Sequence, residues 1–211
     1  MPTRPGIIFI VAAASGGGKT SLVKALVERV ANLHVSVSHT TRPMRPNEQD
    51  GVHYHFVSET DYHQLAKEGA FVEYAQVFNH HYATSQAAIA APLALGHDVI
   101  LDIDWQGAQQ VKQLFPDQSA GIFLLPPSRQ ALRQRLESRG QDSAAIIDER
   151  MAKATDEMSH YHEFDYLVLN DQFEVAVDQM AAIVAAERVK LARQKKQHGE
   201  LIQGHLIKNV G

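Results

Sequence analysis

The chain has no cysteine. A disulfide scaffold, a thiolate zinc site and a cysteine nucleophile are excluded together. It has no excess of basic charge: the formal net charge is −4 and the pI is about 6.3. Nothing in that balance argues for nucleic acid as a partner. No apolar run approaches the ~18 residues that a membrane-spanning helix needs. The apolar stretch 7–14 is too short and leads into glycines, so it does not read as a signal peptide. Internal repeats and low-complexity segments are missing too. With 45% hydrophobic, 21% charged and 7% aromatic residues, the composition is ordinary for a globular domain, which excludes a disordered, collagenous or coiled-coil architecture. The expectation is a soluble, cytoplasmic protein that acts on neither membrane nor nucleic acid.

What is present is an alternation of apolar strands and amphipathic helices. At 211 residues the chain has the length of one domain of ~150 residues with a sizeable insertion. It buries about 70% of the surface that its unfolded form exposes, enough for a core without staples. Residues 7–11, Ile-Ile-Phe-Ile-Val, form a β-branched run typical of a strand buried on both faces of a parallel sheet. Residues 12–18 are small and glycine-rich. From Lys19 to about Val30 the apolar Leu22, Val23, Leu26, Val27 and Val30 recur at helical spacing. Strand, loop and helix open an α/β unit.

Further core strands are expected at 99–104, 119–125 and 166–169. Helices are expected over 106–114, 129–136 and 144–161, and one long helix over 175–196, with a tail at 200–211 that reads as a surface helix or a frayed end. Between these lies a region of different character. Alternation around Val35 and again over 52–57 predicts short strands about a polar loop at 40–51. Ser58 and Asp61 predict a capped helix over 59–68. Strands over 71–78 and 82–84 follow, then a helix over 85–95 closed at Gly96.

The segment Ser15-Gly16-Gly17-Gly18-Lys19-Thr20 fits the end of the phosphate-binding pattern G-x-x-x-x-G-K-S/T, with Ala13 in place of the first glycine. Glycines let backbone amides converge on an anion, and the helix start adds its dipole. In that reading Lys19 reaches the β- and γ-phosphates and the Thr20 hydroxyl sits on Mg²⁺. A second anion site is suggested by Arg42 and Arg45, three apart in a proline-stiffened polar loop. Glu48 beside them has two readings. It can pair with the arginines. It can also accept from guanine, whose N1–H and 2-amino group present adjacent donors that adenine lacks.

With these motifs in place, the sequence resembles the bacterial-type guanylate kinases. The resemblance covers roughly 6–190. It rests on 15–21, on 38–54, on Tyr82-Ala83-Thr84-Ser85, on 101–107 (Leu-Asp-Ile-Asp-Trp-Gln-Gly), on 135–140, and on Arg150 and Asn170-Asp171. It implies an α/β fold: a P-loop kinase core at 1–35, 92–125 and 161–211, with a parallel sheet flanked by helices. A mostly β GMP-binding insertion is implied at 36–91 and a helical lid at 126–160. It implies ATP and GMP as substrates and Mg²⁺ as cofactor. ATP would lie on Ser15, Gly16, Gly17, Gly18, Lys19, Thr20 and Ser21, with Asn170 near the adenine. Arg42, Arg45, Tyr54 and Tyr82 would hold the GMP phosphate. Glu48 and Asp104 would accept from guanine N1 and N2, Ser38 and Thr84 would face O6, and Glu73 belongs to the same GMP set. Thr20 and Asp102 would serve the metal. Lys19, Arg135, Arg139 and Arg150 would be catalytic, the three arginines through the lid. The sequence departs from the family pattern at Ala13, at Ala14 where proline is frequent, and at Ala83 where glycine is frequent.

Two other readings of such a scaffold are a ribose-bisphosphate kinase and a non-catalytic module that binds phosphopeptides. A guanine-reading carboxylate is unnecessary in the first, and an intact Lys19-Thr20 pair in the second. The twelve histidines have neither thiolates nor a helical His pair with a carboxylate beside them, so a structural zinc site is not expected. Lys190, Arg193, Lys195 and Lys196 read as a solvated helix end. The tail at 200–211 is a candidate for contacts in a homo-oligomer.

Overall fold

The structure, a computed structural model, describes residues 4–77, 79–138 and 143–206. The chain runs β1 (Ile8–Ala13), α1 (Lys19–Arg29), β2 (Leu33–Val35), β3 (His39–Thr40), β4 (His55–Phe56), α2 (Glu59–Lys67), β5 (Phe71–Val77), β6 (His80–Ser85), α3 (Gln86–Ala94) and β7 (Asp98–Asp102). It continues α4 (Trp105–Leu114), β8 (Ser119–Leu125), α5 (Arg129–Ser138), α6 (Ala144–Ser159), a 3₁₀ turn (His160–Glu163), β9 (Tyr166–Leu169), α7 (Phe173–Arg188) and α8 (Leu191–Leu206).

Two sheets form. The core sheet is parallel with order β2-β7-β1-β8-β9. Its central strand is apolar at every position, and alternation divides its residues between two layers. Ile7, Phe9 and Val11 join Leu22, Leu26, Val177 and Met180 of α1 and α7. Ile8 and Ile10 join Ile89, Ala108 and Val111 of α3 and α4. Helices thus cover both faces, as a fully buried parallel sheet demands. The second sheet, β4-β3-β6-β5, is mixed, with β6 antiparallel to both β3 and β5. Among the described residues no helix is long and apolar enough to cross a membrane.

Most expected elements are present, with local differences. Only His55–Phe56 of the 52–57 run is strand. Residues 51–53 form a turn in which the Gly51 N–H donates to Tyr54 O at 2.8 Å, while the Asp50 carboxylate accepts the Phe56 N–H at 2.8 Å. The strand expected at 99–104 stops at Asp102, because Asp104 turns to cap α4 by accepting the Gly107 N–H at 2.9 Å. The helix expected over 144–161 gives way to the 3₁₀ turn after Ser159. Position 78, the expected end of the 71–78 strand, lies outside the described residues.

The largest difference is at the C-terminus, where the single helix expected over 175–196 is two. α7 ends at Arg188, and α8 begins at Leu191 and runs through the expected tail to Leu206. The Glu187 carboxylate at this corner is fully buried. It accepts from Tyr166 Oη at 2.6 Å, Lys190 Nζ at 2.7 Å and Arg193 Nη2 at 3.2 Å. These three partners satisfy a charge that would otherwise be costly to bury and fold the chain back at the corner.

Candidate active site

A cavity of about 250 Å³ opens at the C-terminal ends of β1 and β7. That is where an open α/β sheet binds ligands, beside the strand at which the order reverses. Its floor is the glycine loop that leaves β1, and its far wall is the inner face of β5 and β6.

The loop turns sharply. The Gly17 N–H donates to Ala14 O at 2.8 Å. Gly18 has φ +89°, a conformation costly for any residue with a Cβ. A Cβ there would also come within 2.6 Å of Asn170 Nδ2. The Ala13 methyl, which replaces the first glycine of the pattern, is tolerated because residue 17 lacks one: a Cβ on Gly17 would sit 3.0 Å from it. Lys19 and Thr20 open α1 and point to the end of β7. Lys19 Nζ donates to Ile103 O at 2.5 Å and lies 3.0 Å from Asp102 Oδ1. Thr20 Oγ1 donates to Asp102 Oδ2 at 3.0 Å. Behind the loop, Asn170 Nδ2 donates to Gly17 O at 2.7 Å, and Arg135 Nη2 donates to Asn170 O at 2.8 Å. Asn170 is buried and braces the loop. The described residues bring Ser15, Gly16, Gly17, Gly18, Lys19, Thr20, Ser21 and Asp102 together in the cavity lining.

The opposite wall carries Ser38, Tyr54, Glu73, Tyr82 and Asp104. Glu73 is only 2% exposed. Its Oε1 accepts from Thr84 Oγ1 at 2.6 Å, and Thr84 Oγ1 lies 3.3 Å from Ser38 Oγ. Burial, with nearby Asp104 adding to it, pushes the Glu73 carboxyl up to about 7. Alternation turns it inward with Ala75 and Val77, and a register shift between Phe71 and Glu73 interrupts the pairing with β6 just before it. Val72 and Glu73 are consequently both buried. Tyr54 is raised above the ordinary phenol range, chiefly by burial, so its hydroxyl stays a donor.

Glu48 is placed otherwise than the guanine-reading expectation requires. It does not line the cavity. Its Oε1 and Oε2 accept from Arg42 Nη2 and Nη1 at 2.7 and 3.0 Å, and Oε2 also accepts the Arg45 N–H at 2.8 Å. Burial opposes its ionisation, but these bonds outweigh it and hold the carboxyl below its usual range. Of the two readings, pairing with arginine is the one observed. Of the two arginines of the expected fork, Arg42 is buried against the half-buried Glu48 and Arg45 is exposed. The Arg42 guanidinium lies 5.5 Å from the Tyr54 ring, directly behind the cavity wall.

Of the lid arginines, Arg135 faces the loop, Arg150 is half-buried on α6, and Arg139 lies outside the described residues. Two cavity carboxylates were less legible. Glu73 has a readable signal: it keeps the period-two phase of Phe71, Ala75 and Val77, an apolar face. Glu157, on the flank of the apolar stripe of α6, has none. Its Oε2 accepts the Ser15 N–H at 2.8 Å, and burial raises its carboxyl.

Known proteins resemble this chain over nearly its whole length. The guanylate kinase family matches residues 6–187. The guanylate kinase of Acinetobacter baylyi is 52% identical over 204 residues, covering 97% of this chain and 98% of that one. That of Chromohalobacter salexigens is 52% identical over 205 residues, covering 96% and 95%. Among solved structures, the guanylate kinase of Anaplasma phagocytophilum superposes with a TM-score of 0.78 at 30% identity, over 92% of both chains.

Proposed function

Because this chain belongs to the guanylate kinase family, we propose an assignment of its own side chains to the steps of that reaction. The enzyme transfers the γ-phosphoryl group of ATP to GMP, giving ADP and GDP. The nucleophile is an oxygen of the GMP phosphate, already anionic at neutral pH, so no general base is required. Catalysis is then positioning and neutralisation of charge.

The observation that carries the guanine assignment is the buried Glu73 carboxylate opposite the phosphate loop. Ionised, it accepts from guanine N1–H and the 2-amino group, and Asp104 beside it accepts a further bond. Thr84 and Ser38 orient Glu73 and face the O6 edge. Tyr54 and Tyr82 stand at the phosphate end of GMP, with Arg42 and Arg45 behind them. Glu48 holds Arg42 in place. Water is excluded as a competing acceptor by the α5–α6 lid, which contributes Arg135, Arg139 and Arg150.

ATP lies on 15–21, with Lys19 leaving Asp102 for the β- and γ-phosphates. The residues fit Mg²⁺. Thr20 and Asp102 present hard oxygens 3.0 Å apart, and among the described residues no group of three or more His, Cys, Asp or Glu side chains forms a closed metal cage. A hydrated ion held by one or two protein oxygens and substrate phosphates has that character. When bound there, it would supply positive charge that offsets the charge of the phosphate groups. ATP and GMP as substrates support the expected cytoplasmic location.

The test is ADP release over GMP and AMP with the unmodified chain and with Glu73→Ala. GMP supports release and AMP does not. Glu73→Ala lowers kcat/KM for GMP by about tenfold or more and leaves KM for ATP within about twofold. Comparable turnover of AMP, or a loss shared equally by both substrates, would remove the guanine-reading role from Glu73.

A further inference from the structure

The lid helices and the phosphate loop are packed as one body. Ala14 of the loop is buried in a cluster with Leu132 and Leu136 of α5 and Ile147, Met151 and Ala154 of α6. A Cβ on Gly16 would meet Leu136 at 2.8 Å, so the loop lies directly against α5. A polar bond from α6 crosses this apolar seam: Glu157 Oε2 accepts the Ser15 N–H at 2.8 Å. Three residues on, His160 stacks on Trp105 with ring centroids 3.5 Å apart and planes 7° apart. Trp105 follows Asp104 at the start of α4. The C-terminal end of α6 and the 3₁₀ turn after it therefore touch both the phosphate loop and the start of α4.

Glu157 lines the cavity, where a bare carboxylate beside a triphosphate would be a liability. Its acceptor bond gives it a reason to be there. The Ala14–Ser15 peptide opens the loop, and its N–H is committed to the Glu157 carboxylate. Without that acceptor this half-buried N–H would be left unpaired, which favours a different turn of the peptide.

We propose that Glu157 is a positioning residue that fixes the first peptide of the phosphate loop from the lid helix, so that the seat of the lid and the ATP-binding form of the loop are set together. The inference rests on the kinase reading given above and adds to it a residue that acts on ATP binding through Ser15.

Three substitutions at one position separate reach from charge. Glu157→Gln keeps an acceptor at the same distance without charge. Glu157→Asp keeps the charge and withdraws it by one methylene. Glu157→Ala removes both. Steady-state kinetics with ATP and GMP varied in turn are expected to show KM for ATP raised about tenfold or more in the Ala and Asp variants, the loss of one partly buried acceptor. The Gln variant should recover most of that loss. KM for GMP should stay within about twofold in all three. Asp156→Ala, at an exposed neighbour on the same turn, should change neither constant. Emission from Trp105, the one tryptophan, should respond to a non-hydrolysable ATP analogue in the unmodified and Gln proteins and lose that response in the Asp variant.

Recovery by Asp but not by Gln would show that charge alone matters and overturn the proposal. So would an unchanged KM for ATP in the Asp variant, or an equal loss in Asp156→Ala. If the Ala variant fails to fold, the Gln and Asp pair decides. Failure of the unmodified chain to phosphorylate GMP would instead count against the functional reading.

Discussion

The Glu73 carboxylate and the backbone of Gly107 are in direct opposition: a Cβ on residue 107 would lie 2.4 Å from Glu73 Oε2. The missing side chain in the first turn of α4 is thus the space that the buried carboxylate occupies. Gly107→Ala is expected to push Glu73 out of register with guanine while leaving the phosphate loop alone. Alanine favours a helix over glycine by roughly 1 kcal/mol, so the fold should survive. The expected outcome is a fall of about tenfold or more in kcat/KM for GMP, with KM for ATP within about twofold. Unchanged GMP kinetics would show that Glu73 has room to move.

The same carboxylate links stability to pH. Burial raises the Glu73 carboxyl from 4.5 to about 7, whereas an unfolded chain releases the proton near the lower value. Between the two, the native state holds a proton that the unfolded state does not. The stability contributed by neutral Glu73 is therefore full below about 4.5 and lost as pH rises through about 7. Glutamine stays neutral throughout. Glu73→Gln should stabilise the free enzyme at about pH 8 by up to roughly 2–3 kcal/mol relative to its effect at about pH 5. Thermal midpoints at the two pH values check this, and an equal shift at both would mean that the carboxyl is not held neutral.

How much of this could be read from the residues alone depends on how local each cause is. The β1–loop–α1 unit was legible because its causes are local: a β-branched run, small residues, then apolar side chains at helical spacing. Strand 119–125 and the Ser58 cap, which accepts the Asp61 N–H at 3.1 Å, are local in the same sense. The break at 189–190 was not. It depends on Glu187 finding Tyr166, 21 residues away in sequence, and periodicity carries no record of that. Glu48 and Glu73 divide along the same line. Glu48 stands beside Arg42 and Arg45, so a neighbourhood argument made it part of a base reader. Glu73 shares the inward phase of Ala75 and Val77, so its side of the strand was readable, but what it faces depends on how β5 pairs with β6 and packs opposite the phosphate loop.

Lys19 tests the separation of the two substrates. Its ammonium group lies between Asp102 and Ile103 O, across the cavity from Glu73. Lys19→Met should lower kcat by on the order of a hundredfold or more, as the loss of a preorganised group at developing charge does. Calorimetric affinity for GMP should change by less than about threefold. Parallel loss of GMP affinity and turnover would show that one site, not two, is being disturbed.

The final comparison separates the two carboxylates near the GMP site by substrate. IMP keeps N1–H and O6 but lacks the 2-amino group of guanine. A residue that reads guanine must discriminate between GMP and IMP, and a residue that only holds a phosphate-binding arginine must not. Glu73→Gln places an amide donor against the 2-amino donor of GMP. Leaving such groups unpaired costs about 1–3 kcal/mol. IMP presents no donor there, so its kcat/KM should fall by a smaller factor. Glu48→Gln leaves the cavity wall intact and weakens the two-point bond to Arg42 and the bond from the Arg45 N–H. It should raise KM for GMP and IMP by the same factor, about tenfold for a charge-assisted pair of this burial. The ratio of kcat/KM for GMP over IMP is the measured quantity. It should drop in Glu73→Gln and stay at the unmodified value in Glu48→Gln. The opposite pattern would return the guanine-reading role to Glu48 and leave Glu73 as a buried brace for Thr84.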